Sequence, residues 1–238
     1  MRTLHFNNID STHVLYDWDE KIGSDWKSAL EKLIEHSYTD NLVNFIEQIY
    51  LSGKEIYPNK NRLFKPFKCC SLKDVKLVII DDHPFKSCES SGIGKGTINN
   101  SILEKDLPIE LVRFRDCIYN TIYGRQYSIT NFDNSLKDLA DNDILFLNSS
   151  MTVGKEEDHK LIWRNFIRNV IKTINSQCEN VVFLFMTKNN NDLYPLINKE
   201  NHKIIINTDD ILQEDSDIFL EIDKYIKLKY PKKSYILW

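Results

Sequence analysis

The chain has no apolar run long enough to cross a bilayer and no stretch laid out like a secretory leader, so the expected compartment is a reducing cytoplasm, with no membrane contact. Cysteine is sparse: Cys69, Cys70, Cys88, Cys117 and Cys178 are odd in number, and none shows the paired spacing of a zinc site. Adjacent Cys69 and Cys70 cannot form a Cys-x-x-Cys redox motif. Positive charge is not in excess either: 31 Lys and Arg against 35 Asp and Glu leave a formal charge of -4, which excludes a global basic footprint for nucleic acid. Flexible linkers and internal repeats are missing as well. The 238 residues are therefore expected to form a short N-terminal extension, 1–24, and one domain, 25–238, large enough to bury a sizeable core.

What is present is an alternation of apolar runs and helical spacings. Leu77 to Ile80, Ile144 to Leu147, Val181 to Met186 and Lys203 to Ile206 predict buried strands, with helical connections over 109–123 and 158–175. Helical spacing also joins Trp26, Leu30, Leu33 and Ile34, and then Leu42, Phe45, Ile46 and Ile49. Strands alternating with helices imply a three-layer α/β/α fold around a central, mainly parallel four-stranded sheet. Such folds place reacting groups at the carboxyl ends of the strands. The first candidate stretch is thus Asp81-Asp82-His83-Pro84-Phe85. Asp81, Asp82, His83, Asp209 and Asp210 can be drawn together at neighbouring strand ends, but strand-end Asp residues more often cap turns, and neither metal nor cofactor is expected. His159, beside Asp158, reads as a helix-start or surface residue, Trp163 and Phe166 as core, and Asn189 to Asp192 as a turn. The segment Gly92 to Thr97 lacks the spacing of a phosphate loop. Lys224, Lys227, Lys229, Lys232 and Lys233 read as a solvated face, and the apolar end Tyr235 to Trp238 as a tail docked on its own domain.

Several ordered blocks resemble the family 1 uracil-DNA glycosylases. Val75 to Lys86 follows that family's V-K-V-V-I-L strand and its G-Q-D-P-Y-H motif, with Pro84 in register. Asp25-Trp26-Lys27 matches S-W-K, Ile56-Tyr57-Pro58 with Leu63-Phe64 matches Y-P-P…F, and Asp143 to Val153 matches G-V-L-L-L-N-x-x-L-T-V. His159, Trp163 and Phe166 keep the spacing of S-H-x-x-x-x-W-x-x-F-T, and Val181 to Met186 stands where V-F-L-L-W-G falls. The resemblance runs from about Asp25 to Trp238 and implies the family's fold.

The resemblance also implies roles, and most of those positions are changed. The family's water-positioning aspartate falls on His83, after Asp82; the tyrosine that excludes thymine falls on Phe85; the phenylalanine that stacks on uracil falls on Lys95. The catalytic histidine falls on Thr208, and the DNA-insertion loop reads Asp209-Asp210-Ile211-Leu212. Of the uracil-reading groups Asn148 is retained. A protonated histidine beside the reacting sugar repels the positive charge that develops there, and an acidic groove mouth repels phosphate. These changes lead to the expectation of an inactive pseudoenzyme, without catalytic residues, that binds a protein partner of the acidic, DNA-mimicking glycosylase-inhibitor type and binds nucleic acid weakly or not at all. Two alternatives stand beside it. One is a replication or repair accessory factor that binds nucleic acid without excision, through the Lys-rich C-terminal region. The other is a divergent glycosylase whose general base is His83, oriented by Asp82.

Overall fold

The structure is a computed structural model and describes residues 18–30, 36–98, 103–124, 132–209, 212–231 and 238. The strands are β1 (Ile56–Tyr57), β2 (Leu77–Asp81), β3 (Ile144–Asn148), β4 (Val153–Gly154), β5 (Val182–Phe185) and β6 (Lys203–Ile206). The helices are α1 (Trp18–Ile22), α2 (Ser24–Leu30), α3 (His36–Leu51), α4 (Lys65–Cys69), α5 (Ile109–Ile118), α6 (Lys137–Asp141), α7 (Lys160–Gln177) and α8 (Ile218–Lys229). Four strands form a parallel sheet in the order β3-β2-β5-β6, while β1 and β4 pair antiparallel in a separate ribbon. The expected α/β class and four-stranded sheet are therefore present.

Period-two alternation divides the buried strands between two cores. Val78 and Ile80 of β2, Leu145 and Leu147 of β3, and Phe183 and Phe185 of β5 face Trp26, Phe67, Trp163 and Phe166. Leu77 and Ile79, Ile144 and Phe146, and Val182 and Leu184 face the other way, against Leu111, Phe114, Phe219 and Ile222. Helices cover both faces, which makes the three layers.

Asp25 and Trp26 fix the first layer to the sheet. Asp25 Oδ1 accepts from Trp26 N at 2.8 Å, and its Oδ2 accepts from Ser71 Oγ at 2.8 Å and Leu72 N at 2.7 Å. Trp26 Nε1 donates to Cys70 O at 2.8 Å, so this pair holds α2 on the segment that leads into β2. Ile22, ahead of the expected boundary at Asp25, is fully buried in the same core. At the other end Trp238 packs edge-on against Phe219 at 5.2 Å, and its Nε1 donates to Asp223 Oδ1 at 3.4 Å. The last residue thus docks on its own domain, as expected for the tail; Tyr235 to Leu237, like Lys232 and Lys233, lie outside the described residues. The helix predicted over 109–123 is α-helical to Ile118 and then widens into a π-helical turn, Tyr119–Gly124.

Candidate functional site at the carboxyl ends of β2 and β3

Parallel register sets Asp81, the last residue of β2, beside Asn148, the last of β3. Two residues back on the same face stand Ile79 and Phe146. These four side chains, with Lys95 and Phe114, line a narrow cavity of about 30 Å³. The cavity has an apolar floor and a polar rim. In the rim, Asn148 Oδ1 is buried and has no hydrogen-bond partner among the described residues.

Lys95 reaches the rim because of the glycines around it. Ser91 N donates to Gly96 O at 2.8 Å and Gly96 N to Ile93 O at 2.9 Å, which closes a tight turn. Gly92 has φ +82°, and a Cβ there would sit 2.3 Å from Arg62 O; a Cβ on Gly96 would sit 2.6 Å from Ser135 O. The loop is wedged between those two carbonyls, and Lys95 comes to lie over the strand ends. Its Nζ is 3.2 Å from His83 Nδ1 and 3.9 Å from Asp81 Oδ2. Burial pushes the Asp81 carboxyl above its usual range, and the Lys95 charge opposes that shift.

His83 Nδ1 also lies 2.8 Å from Pro84 O. A neutral ring nitrogen carries one proton or one lone pair, so it cannot satisfy both neighbours. Pro84 O offers only lone pairs and is the closer, which places the proton on Nδ1 and leaves Nε2 as an acceptor. Burial first, and then the Lys95 charge, push the His83 pKa below its ordinary value, so the ring is neutral at pH 7.

Asp82 is turned away from His83. Its Oδ1 accepts from Thr187 Oγ1 and Asn190 Nδ2, each at 3.0 Å, and its Oδ2 accepts from Asn189 Nδ2 at 2.8 Å. Its carbonyl accepts from Ser150 N at 2.9 Å and Ser149 Oγ at 3.1 Å. Asp82 therefore ties the ends of β2, β3 and β5 together. The expected orienting contact from Asp82 to His83 is replaced by Pro84 O.

The other expected site residues are placed less centrally. Phe85 is half-buried and is not part of the cavity lining, and Thr208 and Asp209 are exposed. Leu212 is 3 % exposed and packs in the core with Phe219 and Ile222, so the loop does not present that leucine outward. Asp210 and Ile211 lie outside the described residues. Asn207, which no motif had singled out, follows β6 directly and donates to Met186 O at 3.2 Å and Asp209 O at 3.0 Å. His159 stands at the N-cap position of α7, as expected of a helix-start residue, but its side chain makes no capping bond and does not lie at the surface. It is buried, with Nδ1 3.0 Å from Thr152 Oγ1, and that oxygen accepts from Trp163 Nε1 at 2.8 Å. Thr187, Asn189 and Asn190 were also missed. The signal for them was the polar run immediately after β5, read only as a turn.

A parallel-sheet protein whose polar side chains gather at the carboxyl ends of adjacent central strands has the layout of an α/β enzyme. Comparison with known proteins gives the family. Uracil-DNA glycosylase of Borrelia turicatae is 31% identical over 190 residues, covering 78% of this chain and 82% of the relative. The enzyme of that name from Flavobacterium johnsoniae is 30% identical over 190 residues, covering 79% and 82%. The crystal structure of mimivirus uracil-DNA glycosylase superposes with a TM-score of 0.80 at 14% identity, over 94% of this chain and 90% of that one. A variant of mimivirus UNG in complex with UGI superposes with a TM-score of 0.75 at 14% identity, over 99% and 98%. No protein-family model matches the chain. The chain belongs to the uracil-DNA glycosylase family.

This corrects the expectation of an inactive homologue that works only through protein binding. Relatives at about 30% identity over four fifths of their length are named as the enzyme. The expectation rested in part on a protonated His83 repelling positive charge, and the buried, neutral ring removes that objection. No described helix is long and apolar enough to cross a membrane.

Proposed function

We propose that this protein is a divergent uracil-DNA glycosylase, which hydrolyses the bond between C1′ of deoxyribose and N1 of uracil, with the base held in the cavity at the ends of β2 and β3. The observation that carries this reading is the unpartnered Asn148 Oδ1 in the wall of that cavity, in a chain of this family. A buried acceptor without a donor costs free energy, and the N3–H of uracil supplies the donor. Neutral cytosine presents a lone pair at N3 and would set two acceptors against each other. The cavity is narrow, so entry of a base requires the Lys95 side chain to swing aside.

His83 is the general base in this reading. Its Nε2 accepts a proton from the attacking water while the Nδ1–H bond to Pro84 O fixes the tautomer and the ring. Thr208, exposed beyond β6, has no part in the chemistry, and Phe85 makes a looser wall than a pocket residue would. Asp209, exposed beyond β6, weakens attraction to duplex phosphates, which makes single-stranded DNA the better substrate. An inhibitor-type protein is the partner we propose, motivated by the complex of the mimivirus neighbour with UGI, and the acidic side chains require it to be co-varied in charge or to dock away from Asp209.

The test is release of free base from oligonucleotides carrying a single deoxyuridine, single-stranded and duplex, with enzyme in excess. Uracil should be released, faster from single strands, while matched cytosine and thymine oligonucleotides stay intact. No release from either uracil substrate would overturn the assignment.

A further inference from the structure

Cleaving the C1′–N1 bond sends its electron pair into the pyrimidine, which departs as an anion with charge spread onto O2. A positive group brought to that edge as the base seats stabilises the developing charge far more than it would in water, because it acts in a site that excludes solvent. Lys95 is the one cation among the described residues that line the cavity, which also carry the carboxylates of Asp81 and Glu110. Its side chain is only 10% exposed, yet its nearest acceptors are poor. The His83 Nδ1 contact at 3.2 Å is taken up by the bond to Pro84 O, and Asp81 Oδ2 at 3.9 Å is beyond hydrogen-bond distance. An ammonium has three protons to donate, and a buried charge left short of partners favours an anionic ligand. Asn148, in register with Asp81, fixes which edge of a bound pyrimidine faces this corner.

We propose that Lys95 is a catalytic residue that stabilises the departing pyrimidine anion, with its ammonium placed at the base's carbonyl edge. This rests on the function proposed above. The balanced step is heterolysis of C1′–N1, the electron pair passing to N1 and O2 beside Lys95, water oxygen bonding to C1′, and the water proton passing to His83 Nε2.

Single-turnover rates on deoxyuridine and on deoxy-5-fluorouridine oligonucleotides test it, with wild type, Lys95→Met and Lys95→Arg. Lys95→Met should slow uracil release by about 10²–10³-fold, the size seen when one charge-stabilising donor is removed. The loss should be smaller on 5-fluorouracil, whose anion needs less help, and Lys95→Arg should recover much of the rate. An equal loss on both bases, or none, overturns the role of Lys95 while leaving uracil excision standing. Titration with free 5-nitrouracil, an anion at neutral pH, gives a readout independent of turnover. Wild type should bind it at least about tenfold tighter than Lys95→Met. Equal binding would sink the inference even if no base is released at all, an outcome that would also remove the proposed function.

Discussion

Asp82 and Lys95 stand within a few ångströms of the same strand ends, and their charges are treated in opposite ways. Asp82 is saturated: three side chains that follow β5 donate to its carboxylate, and two groups after β3 donate to its carbonyl. Lys95 and its neighbour Asn148 are left short, one with a distant carboxylate and a histidine already engaged, the other with a bare carbonyl oxygen. A polar group whose partners all come from its own chain contributes to stability. One whose partners are missing lowers stability and is available to a ligand. Asp81, whose carboxylate lies on the Lys95 side, and Asp82 are adjacent in the sequence, so the division of labour is set by which way each side chain leaves the strand end.

The largest effect expected from this contrast is on Asn148. Asn148→Ala should lower uracil release by about 10²–10³-fold, the usual cost of losing one precisely placed polar contact to the reacting group. Thermal stability should move by less than about 1 kcal/mol, because the change removes a buried acceptor that had no partner. A variant that lost its activity only by melting at assay temperature would break the comparison, and a melting curve beside each rate separates the two.

Asp82→Ala should behave in the reverse manner. It strands the fully buried Asn190 amide and the Thr187 hydroxyl and removes charge-assisted bonds, at a cost of about 3 kcal/mol. For a chain of this length that is on the order of a 6–12 °C fall in Tm. If Asp82→Ala unfolds no earlier than wild type, the network is ornamental and the distinction between saturated and unsatisfied groups fails.

Much of this contrast lies beyond what the sequence shows. The strands themselves were legible, because apolar runs bounded by charge have few other uses, and the sheet in fact carries each run on the expected residues. Asn148 and His83 were legible as candidate positions from the block resemblance. The direction of a strand-end side chain was not: Asp82 sits beside His83 in sequence yet bonds to Asn189 and Asn190, more than a hundred residues on. Leu212 was read as part of an exposed loop and is buried, since its backbone lies one turn before α8 and faces Phe219. The expected inactivity rested on the changed positions His83, Phe85, Lys95 and Thr208 and on the acidic loop, and the part that turned on a protonated His83 could not be judged from the sequence, because burial and the Lys95 charge depend on the folded arrangement. Charge state and saturation are tertiary properties, and residue identity alone underdetermines both.

A pH profile sharpens the comparison from the unsatisfied side. His83 acts as a base only when neutral, and its folded pKa lies below the ordinary 6.5. Single-turnover release should therefore be flat above that value. As pH falls through the depressed pKa the ring gains a proton, and the rate should drop toward tenfold per unit. Burial is the first cause of the depression and the Lys95 charge the second, ahead of Lys86, so removing that charge should move the midpoint for Lys95→Met, measured on 5-fluorouracil, upward. A midpoint that stays in place would mean that Lys95 does not sense His83.

The smallest effect expected is at a saturated group without charge. Thr152 Oγ1 accepts from Trp163 Nε1 and donates to His159 Nδ1, all of it buried among core residues. Thr152→Val keeps the shape and removes both bonds, which should cost about 1–2 kcal/mol and leave uracil release unchanged. Because it is far less charged in character than Asp82, it measures what saturation alone is worth at neutral groups. A loss as large as that of Asp82→Ala, read from denaturant midpoints at unchanged slope, would show that the charge on Asp82 adds nothing to the strand-end network. A smaller loss would assign the difference to charge assistance, which is the property that Lys95 lacks partners to express within the protein itself.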